Sequence, residues 1–129
     1  MTFYEREIHR VGRIIYANRS QIDTVIRTRK YLDRNYEANV NLNLLARTHA
    51  VSKFHLLRLF KKYYGLTPTK YATDKRIAMS KQHLENGMSV TQTCFAVGFE
   101  SLGSFSTLFK RKTGKTPFEY QKEQLSRSF

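Results

Sequence analysis

Apolar side chains recur at helical intervals along most of the chain. Tyr4, Ile8, Val11 and Ile15 follow one another at steps of four, three and four, which aligns them as one stripe on a helix. A second series, Ile22, Val25, Ile26, Leu32 and Tyr36, comes after Ser20, a residue suited to cap a helix start. A third, Tyr71, Ile77, Ala78 and Leu84, runs between Pro68 and Asn86-Gly87. Shorter apolar sets follow the candidate caps Asn41 (Leu42, Leu45, Ala46) and Ser89 (Val90, Thr93, Cys94, Val97). No segment alternates apolar and polar residues as a half-buried strand would, so the pattern predicts an all-α chain of about seven or eight helices.

Within that pattern one unit occurs twice. Ser52 to Tyr71 reads SKFHLLRLFKKYYGLTPTKY, and Ser101 to Tyr120 reads SLGSFSTLFKRKTGKTPFEY. Each copy begins on a capping serine and carries Leu-Phe-Lys. Gly65 and Gly114 stand where a helix needs a left-handed residue to stop, and the only two prolines, Pro68 and Pro117, each follow a threonine, the order of an N-cap and first helical position. The short helix before each copy, with a turn of about four residues, completes a helix-turn-helix pattern. The second turn, Gly98-Phe99-Glu100, is one residue longer than the first, which breaks at His49-Ala50.

Composition narrows what such a repeat can do. The 129 residues leave room for one compact domain or two very small ones, and a net charge of +13 on a chain that is 40% apolar places the positive charge on a folded surface. An anionic target follows, and two copies of one basic unit fit a repeating one, duplex nucleic acid. No stretch has the length and apolarity of a membrane span, and MTFYEREIHR lacks the apolar core of a signal peptide. These features lead us to expect a soluble, cytoplasmic protein without a membrane partner. One cysteine, Cys94, and four dispersed histidines give no metal-ligand spacing. No Gly-rich phosphate loop, Ser/His/Asp set or paired carboxylates stand out, so neither enzymatic activity nor a cofactor is expected. Cys94 reads as a small buried hydrophobe, and His49, His55 and His83 as surface or groove-edge residues.

The segment from Pro68 to Asn86 would join the two units, and a helix of its length is about 28 Å long. That approaches the ~34 Å between major-groove faces on one side of B-DNA, so a single chain could set two recognition helices in successive grooves. Lys53, Arg58, Lys61, Lys62, Lys70, Lys75, Arg76 and Lys81 crowd the first unit and this rod, and Lys110, Arg111, Lys112 and Lys115 cluster in the second. Phosphate contact is the reading for the set as a whole, although any one lysine could be a solvated helix face.

With the duplication in view, residues 22 to 122 resemble the DNA-binding domain of AraC/XylS-type bacterial transcription regulators. The most specific part is VTQTCFAVGFESLGSFSTLFKRKTGKTPFEY, and Leu45-Ala46, Ser52, Leu56, Arg58, Phe60-Lys61, Gly65, Pro68, Tyr71, Arg76 and Leu84 agree in the first half. Ala50 departs from the glycine common in that turn. The resemblance implies two helix-turn-helix subdomains joined by a long helix, with an extension or linker at 1–20, a first subdomain at 21–66, the linking helix at 67–87 and a second subdomain at 88–129. It further implies a monomer on an asymmetric promoter site, acting on transcription, as an activator in most members, through RNA polymerase. Most members also carry a sensor domain.

By the same resemblance, base contacts fall at Phe54, Leu57 and Arg58 in the first recognition helix and at Leu102, Gly103, Ser104, Ser106 and Thr107 in the second. Phosphate contacts are expected from Ser52, Lys53, Lys61, Lys62, Ser101, Lys110, Arg111 and Lys112. Arg58 can bond guanine through O6 and N7, or fold back toward an acid or a phosphate. Phe54 and Leu57 offer apolar contact alone, to thymine methyls or to the core. The second helix presents short side chains, so anchoring should dominate there. The alternative reading is a protein that binds nucleic acid without sequence preference. The stripe within 1–20 lies outside the resemblance; it could pack on its own domain, meet another chain, or be the remnant of a linker.

Overall fold

The computed structural model describes residues 2–127; Met1, Ser128 and Phe129, at the ends of the first and last expected segments, lie outside the described residues. Seven helices and no strand make up the described residues: α1 (Phe3–Arg34), α2 (Leu42–Thr48), α3 (Lys53–Tyr64), α4 (Pro68–Glu85), α5 (Val90–Ala96), α6 (Leu102–Thr113) and α7 (Pro117–Arg127). They fall into two compact units, one of residues 1–32 and 41–68, the other of 33–40 and 69–129.

The helix ends are set by the residues whose chemistry requires it. The side chains of Asn41, Ser52, Ser89 and Ser101 accept hydrogen bonds from the backbone N–H of Leu44, His55, Gln92 and Ser104 at 3.0 to 3.2 Å, each satisfying a donor that the first helical turn leaves over. Gly65 (φ 77°) and Gly114 (φ 84°) stop α3 and α6, each returning its N–H to a lysine carbonyl, Lys61 or Lys110, at 2.8 Å.

One expected start is absent. Ser20 caps nothing: α1 runs unbroken from Phe3 to Arg34. No proline interrupts it, an exposed serine inside a helix costs only a few tenths of a kcal/mol, and a cap signal acts only where the preceding residues leave helical geometry.

In the first unit Val25, Thr28 and Leu32 of α1, Leu45 and Ala46 of α2, and Leu56, Leu59 and Phe60 of α3 are buried. The N-terminal stripe does not join them. Tyr4, Ile8, Val11 and Ile15 are all exposed, so packing of this stripe on its own unit, one of the three alternatives, is not what the chain does.

In the second unit Ile77, Leu84, Cys94, Phe105 and Phe109 form the core, with Val90, Phe99, Leu108 and Tyr120 against it. The rings of Phe99, Phe105, Phe109 and Tyr120 follow one another at 5.2, 5.7 and 5.4 Å between centroids, spacings at which aromatic pairs attract beyond their burial.

The closing tyrosines of the repeat have matching roles. Tyr71 donates its hydroxyl to Asp33 at 2.6 Å, near the end of α1, and Tyr120 donates to Glu85, the last residue of α4. Each thus bonds an acid at the end of the preceding long helix. Burial, and then the bond to Glu85, push the Tyr120 hydroxyl up to about 12, so that donor stays protonated in any ordinary buffer.

Both helix-turn-helix turns close on a left-handed residue. Val51 and Phe99 return their N–H groups to Ala46 and Cys94, and the residues before them, Ala50 (φ 53°) and Gly98 (φ 100°), take the positive φ. For alanine that conformation is strained by about 1–2 kcal/mol. Ala50→Gly is therefore expected to raise stability by about 0.5–1 kcal/mol in urea unfolding, the relief of strain exceeding the added freedom of the unfolded chain.

Candidate nucleic-acid interface

α3 and α6 are built alike because their buried positions repeat. Leu56 and Phe60 of α3, and Phe105 and Phe109 of α6, are fully buried. The helical period then turns the residues between them outward. On α3 this exposes Phe54, at 65% of its surface, together with Arg58, Lys61 and Lys62, while Leu57 is half-buried. On α6 it exposes Leu102, Gly103, Ser104, Thr107, Lys110, Arg111 and Lys112, with Ser106 half-buried. In each unit most of the sequence-derived site residues thus lie on the face opposite the core; Lys53 is half-buried, and Lys112, two turns after the buried Phe105, is turned toward α4.

The two faces differ in chemistry. On α3 the Lys53 ammonium lies 5.3 Å from the centre of the Phe54 ring and that of Lys62 5.5 Å from the Tyr63 ring, so cation and aromatic surface are presented side by side. On α6 the corresponding surface is short hydroxyls and an open backbone at Gly103, where an added Cβ would meet nothing within 4 Å. Ser101 both caps α6 and donates its hydroxyl to Ser104 at 2.9 Å. Ser52 caps α3 as an acceptor, which leaves its O–H able to turn toward an anion.

Three basic residues do more than the sequence reading assigned to them. Lys112 meets Asp74 of α4 at 3.2 Å, with both side chains about half exposed. An exposed pair of this kind contributes under ~1 kcal/mol, so a phosphate can displace the acid. Lys115 pairs with Glu123. Arg76, counted with the cationic surface of the rod, instead donates to three backbone carbonyls: Tyr36 at 2.6 Å, Ala38 at 2.9 Å and Gly98 at 3.0 Å. Its work is structural. Partial burial lowers its pKa, while Glu37 and Glu100 raise it, and the guanidinium keeps its charge.

The structure adds residues that sequence reasoning missed. A recess of about 280 Å³ is lined by Thr69, Lys70, Thr73 and Asp74 of α4 and by Leu108, Arg111 and Lys112 of α6. The threonines carry no charge, so only the fold could bring them beside the basic end of α6. His49, expected at the surface or groove edge, is half-buried at the C-cap of α2; burial first and Arg27 second pull its pKa below the usual value, against a smaller opposing effect of Asp23. Among the described residues no helix is long and apolar enough to cross a membrane.

Comparison with known proteins bears on this surface. A family model described as a helix-turn-helix domain matches residues 45–123. The chain is 32% identical over 93 residues to the bifunctional transcriptional activator/DNA repair enzyme AdaA of Bacillus subtilis (strain 168), a match spanning 71% of this chain and 44% of that protein. It is 40% identical over 70 residues to the uncharacterized HTH-type transcriptional regulator YbfI of the same organism, over 54% of this chain and 26% of that one. The chain thus spans less than half the length of these curated relatives. A transcriptional regulator from Chromobacterium violaceum, described as containing an AraC-type DNA-binding domain, matches with a TM-score of 0.72 and 28% identity, over 79% of this chain and 92% of its own. The DNA-binding domain of AdpA, solved in complex with a target DNA, matches with a TM-score of 0.74 at 20% identity, over 80% of this chain and 94% of its own. At that identity the likeness speaks for the fold.

Proposed function

The chain belongs to the AraC-type family of helix-turn-helix transcription regulators, and on that premise we propose that it binds double-stranded DNA sequence-specifically at promoters and regulates transcription. The observation that carries this reading is the pairing of two identically capped helices, α3 and α6, whose outward faces hold Phe54 and Arg58 in one unit and Lys110 and Arg111 in the other. In this reading a first subdomain at 21–66 and a second at 88–129 are joined by the helix at 67–87. Their recognition helices enter successive major grooves from a single copy of the chain.

The division of labour follows from the side chains. Arg58 reads guanine, and Phe54 and Leu57 offer apolar contact to thymine methyls. Leu102, Gly103, Ser104, Ser106 and Thr107 bring α6 close to the bases with little to discriminate among them. Ser52, Lys53, Lys61 and Lys62, and Ser101, Lys110, Arg111 and Lys112, hold phosphates and fix the register. Activation through RNA polymerase, in the cytoplasm, completes the proposal, supported by an activator among the relatives.

Competition binding tests it. A selected duplex should be preferred over random duplex and over structured RNA by ~10³ or more; equal competition would leave the chain a non-specific nucleic-acid binder. Arg58→Ala is expected to lose about 1–3 kcal/mol on the selected site and to relax preference at one or two base pairs, whereas uniform weakening on every sequence would reassign Arg58 to phosphate. Lys110→Ala should leave the preference intact and lower the slope of log affinity against log salt by about 1.

A further inference from the structure

The first two-thirds of α1 has no role in the DNA reading, yet from Phe3 to Ile22 it presents the largest run of exposed apolar residues among the described residues. The run follows a heptad. Ile8, Ile15 and Ile22 fall at one core position and Tyr4, Val11, Asn18, Val25 and Leu32 at the other, while Arg6, Arg13 and Ser20 fall farthest from the seam. From Val25 onward the same seam is buried in the chain's own unit, with Val25 and Leu32 nearly inaccessible. Before Ile22 no described residue covers it: Tyr4, Ile8, Val11 and Ile15 are exposed.

We infer that this seam is covered by a second copy of the chain, paired antiparallel about Arg13. That register sets Val11 against Ile15 of the second copy and Tyr4 against Ile22, and it makes three further pairings favourable at once. Glu5 of each copy meets Arg19 of the other. Gly12 meets its own symmetry mate, and its open side, with nothing within 4 Å of an added Cβ, lets the backbones approach. Ile14, 49% exposed beside the seam, also meets itself.

The end of the seam supplies an independent argument. Ile22, Val25 and Ile26 of α1 and Tyr63 and Tyr64 of α3 line an apolar groove of about 240 Å³, and the antiparallel register delivers Tyr4 of the second copy to it. A parallel register would place Glu7 opposite Gly12 and leave Glu5 and Arg19 far apart along the axis. Tyr4, Ile8, Val11, Ile14, Ile15 and Ile22, each at least two-fifths exposed, line the seam of each copy, apolar surface of the kind that fills the centre of a standard interface of ~800 Å² per partner.

The test combines mass measurement with site-directed cross-linking of the full chain. By light scattering at tens of micromolar, the wild type should be a dimer. Ile8→Glu with Ile15→Glu should dissociate at least about 100-fold more readily while keeping its helical circular dichroism, because both positions are exposed in the single chain. A wild type that stays monomeric overturns the proposal, as does a double variant that dimerises equally well. For orientation, Gly12→Cys should be joined by a short bis-maleimide and Asn18→Cys should not, since the antiparallel seam brings together the first pair only. Buried Cys94 supplies the unreactive background. Efficient joining at Asn18 with none at Gly12 would establish a parallel pair and contradict the register.

Discussion

Gly98→Ala is expected to destabilise the second unit by about 4 kcal/mol, among the larger effects a single methyl can have. A Cβ at Gly98 would lie 2.2 Å from the carbonyl oxygen of Glu37 and 2.8 Å from both its Cα and carbonyl carbon. These are backbone atoms, so no side-chain rotation relieves the overlap, and φ of +100° adds the strain that any L side chain meets there. Either the turn between α5 and α6 or the segment 33–40 must move. α6 follows that turn directly, so its capping serine would be displaced as well. Thermal or urea unfolding reads the effect; a loss under about 1 kcal/mol would mean that the close approach of Gly98 to Glu37 is not maintained.

Arg76→Ala should cost about 3 kcal/mol through the same contact seen from the other side. One guanidinium donates to Tyr36, Ala38 and Gly98, holding the segment after α1 against the turn before α6, while its carbon Cζ sits 5.5 Å from the centre of the Phe99 ring. Charged donors to carbonyls contribute more than neutral ones, and their removal leaves acceptors without partners. Lysine, with a compact ammonium in place of a planar fork, should recover less than half of the loss. The two substitutions act on one junction, so Gly98→Ala and Arg76→Ala together should cost well under their sum in a double-mutant cycle. Simple additivity would show that they act independently.

Much of the fold was legible because its punctuation is local. Asn41, Ser52, Ser89 and Ser101 cap, Gly65 and Gly114 stop, and Pro68 and Pro117 start helices through groups within four residues of themselves, which is the range a sequence pattern covers. The buried Phe60, Phe105 and Phe109 sit at positions that the helical period and the repeat place on one side, and their repetition exposes the faces that hold Arg58 and Lys110. Where the reading failed, the decisive contact was distant in sequence or a local signal was overruled. Ser20 has the chemistry of a cap but lies inside a helix that nothing interrupts. Arg76 looks like one more cation until the carbonyls of Tyr36, Ala38 and Gly98 are placed around it. Asp74 opposes Lys112 only once α4 and α6 are folded together. The N-terminal stripe was visible by period, but its exposure depends on what the unit leaves uncovered, which no window of sequence records. Ala50 shows a third limit: its departure from glycine was plain, and the backbone takes the left-handed conformation anyway.

The proposed asymmetry of reading, specification by α3 and anchoring by α6, is tested most directly by selecting bound duplexes from a random pool and measuring preference at each base pair. An asymmetric site of about two helical turns is expected, with strong preference confined to one half and abolished at one or two positions there by Arg58→Ala, and with weak preference in the other half. Enrichment of no sequence above background, or equally strong preference in both halves, would contradict it.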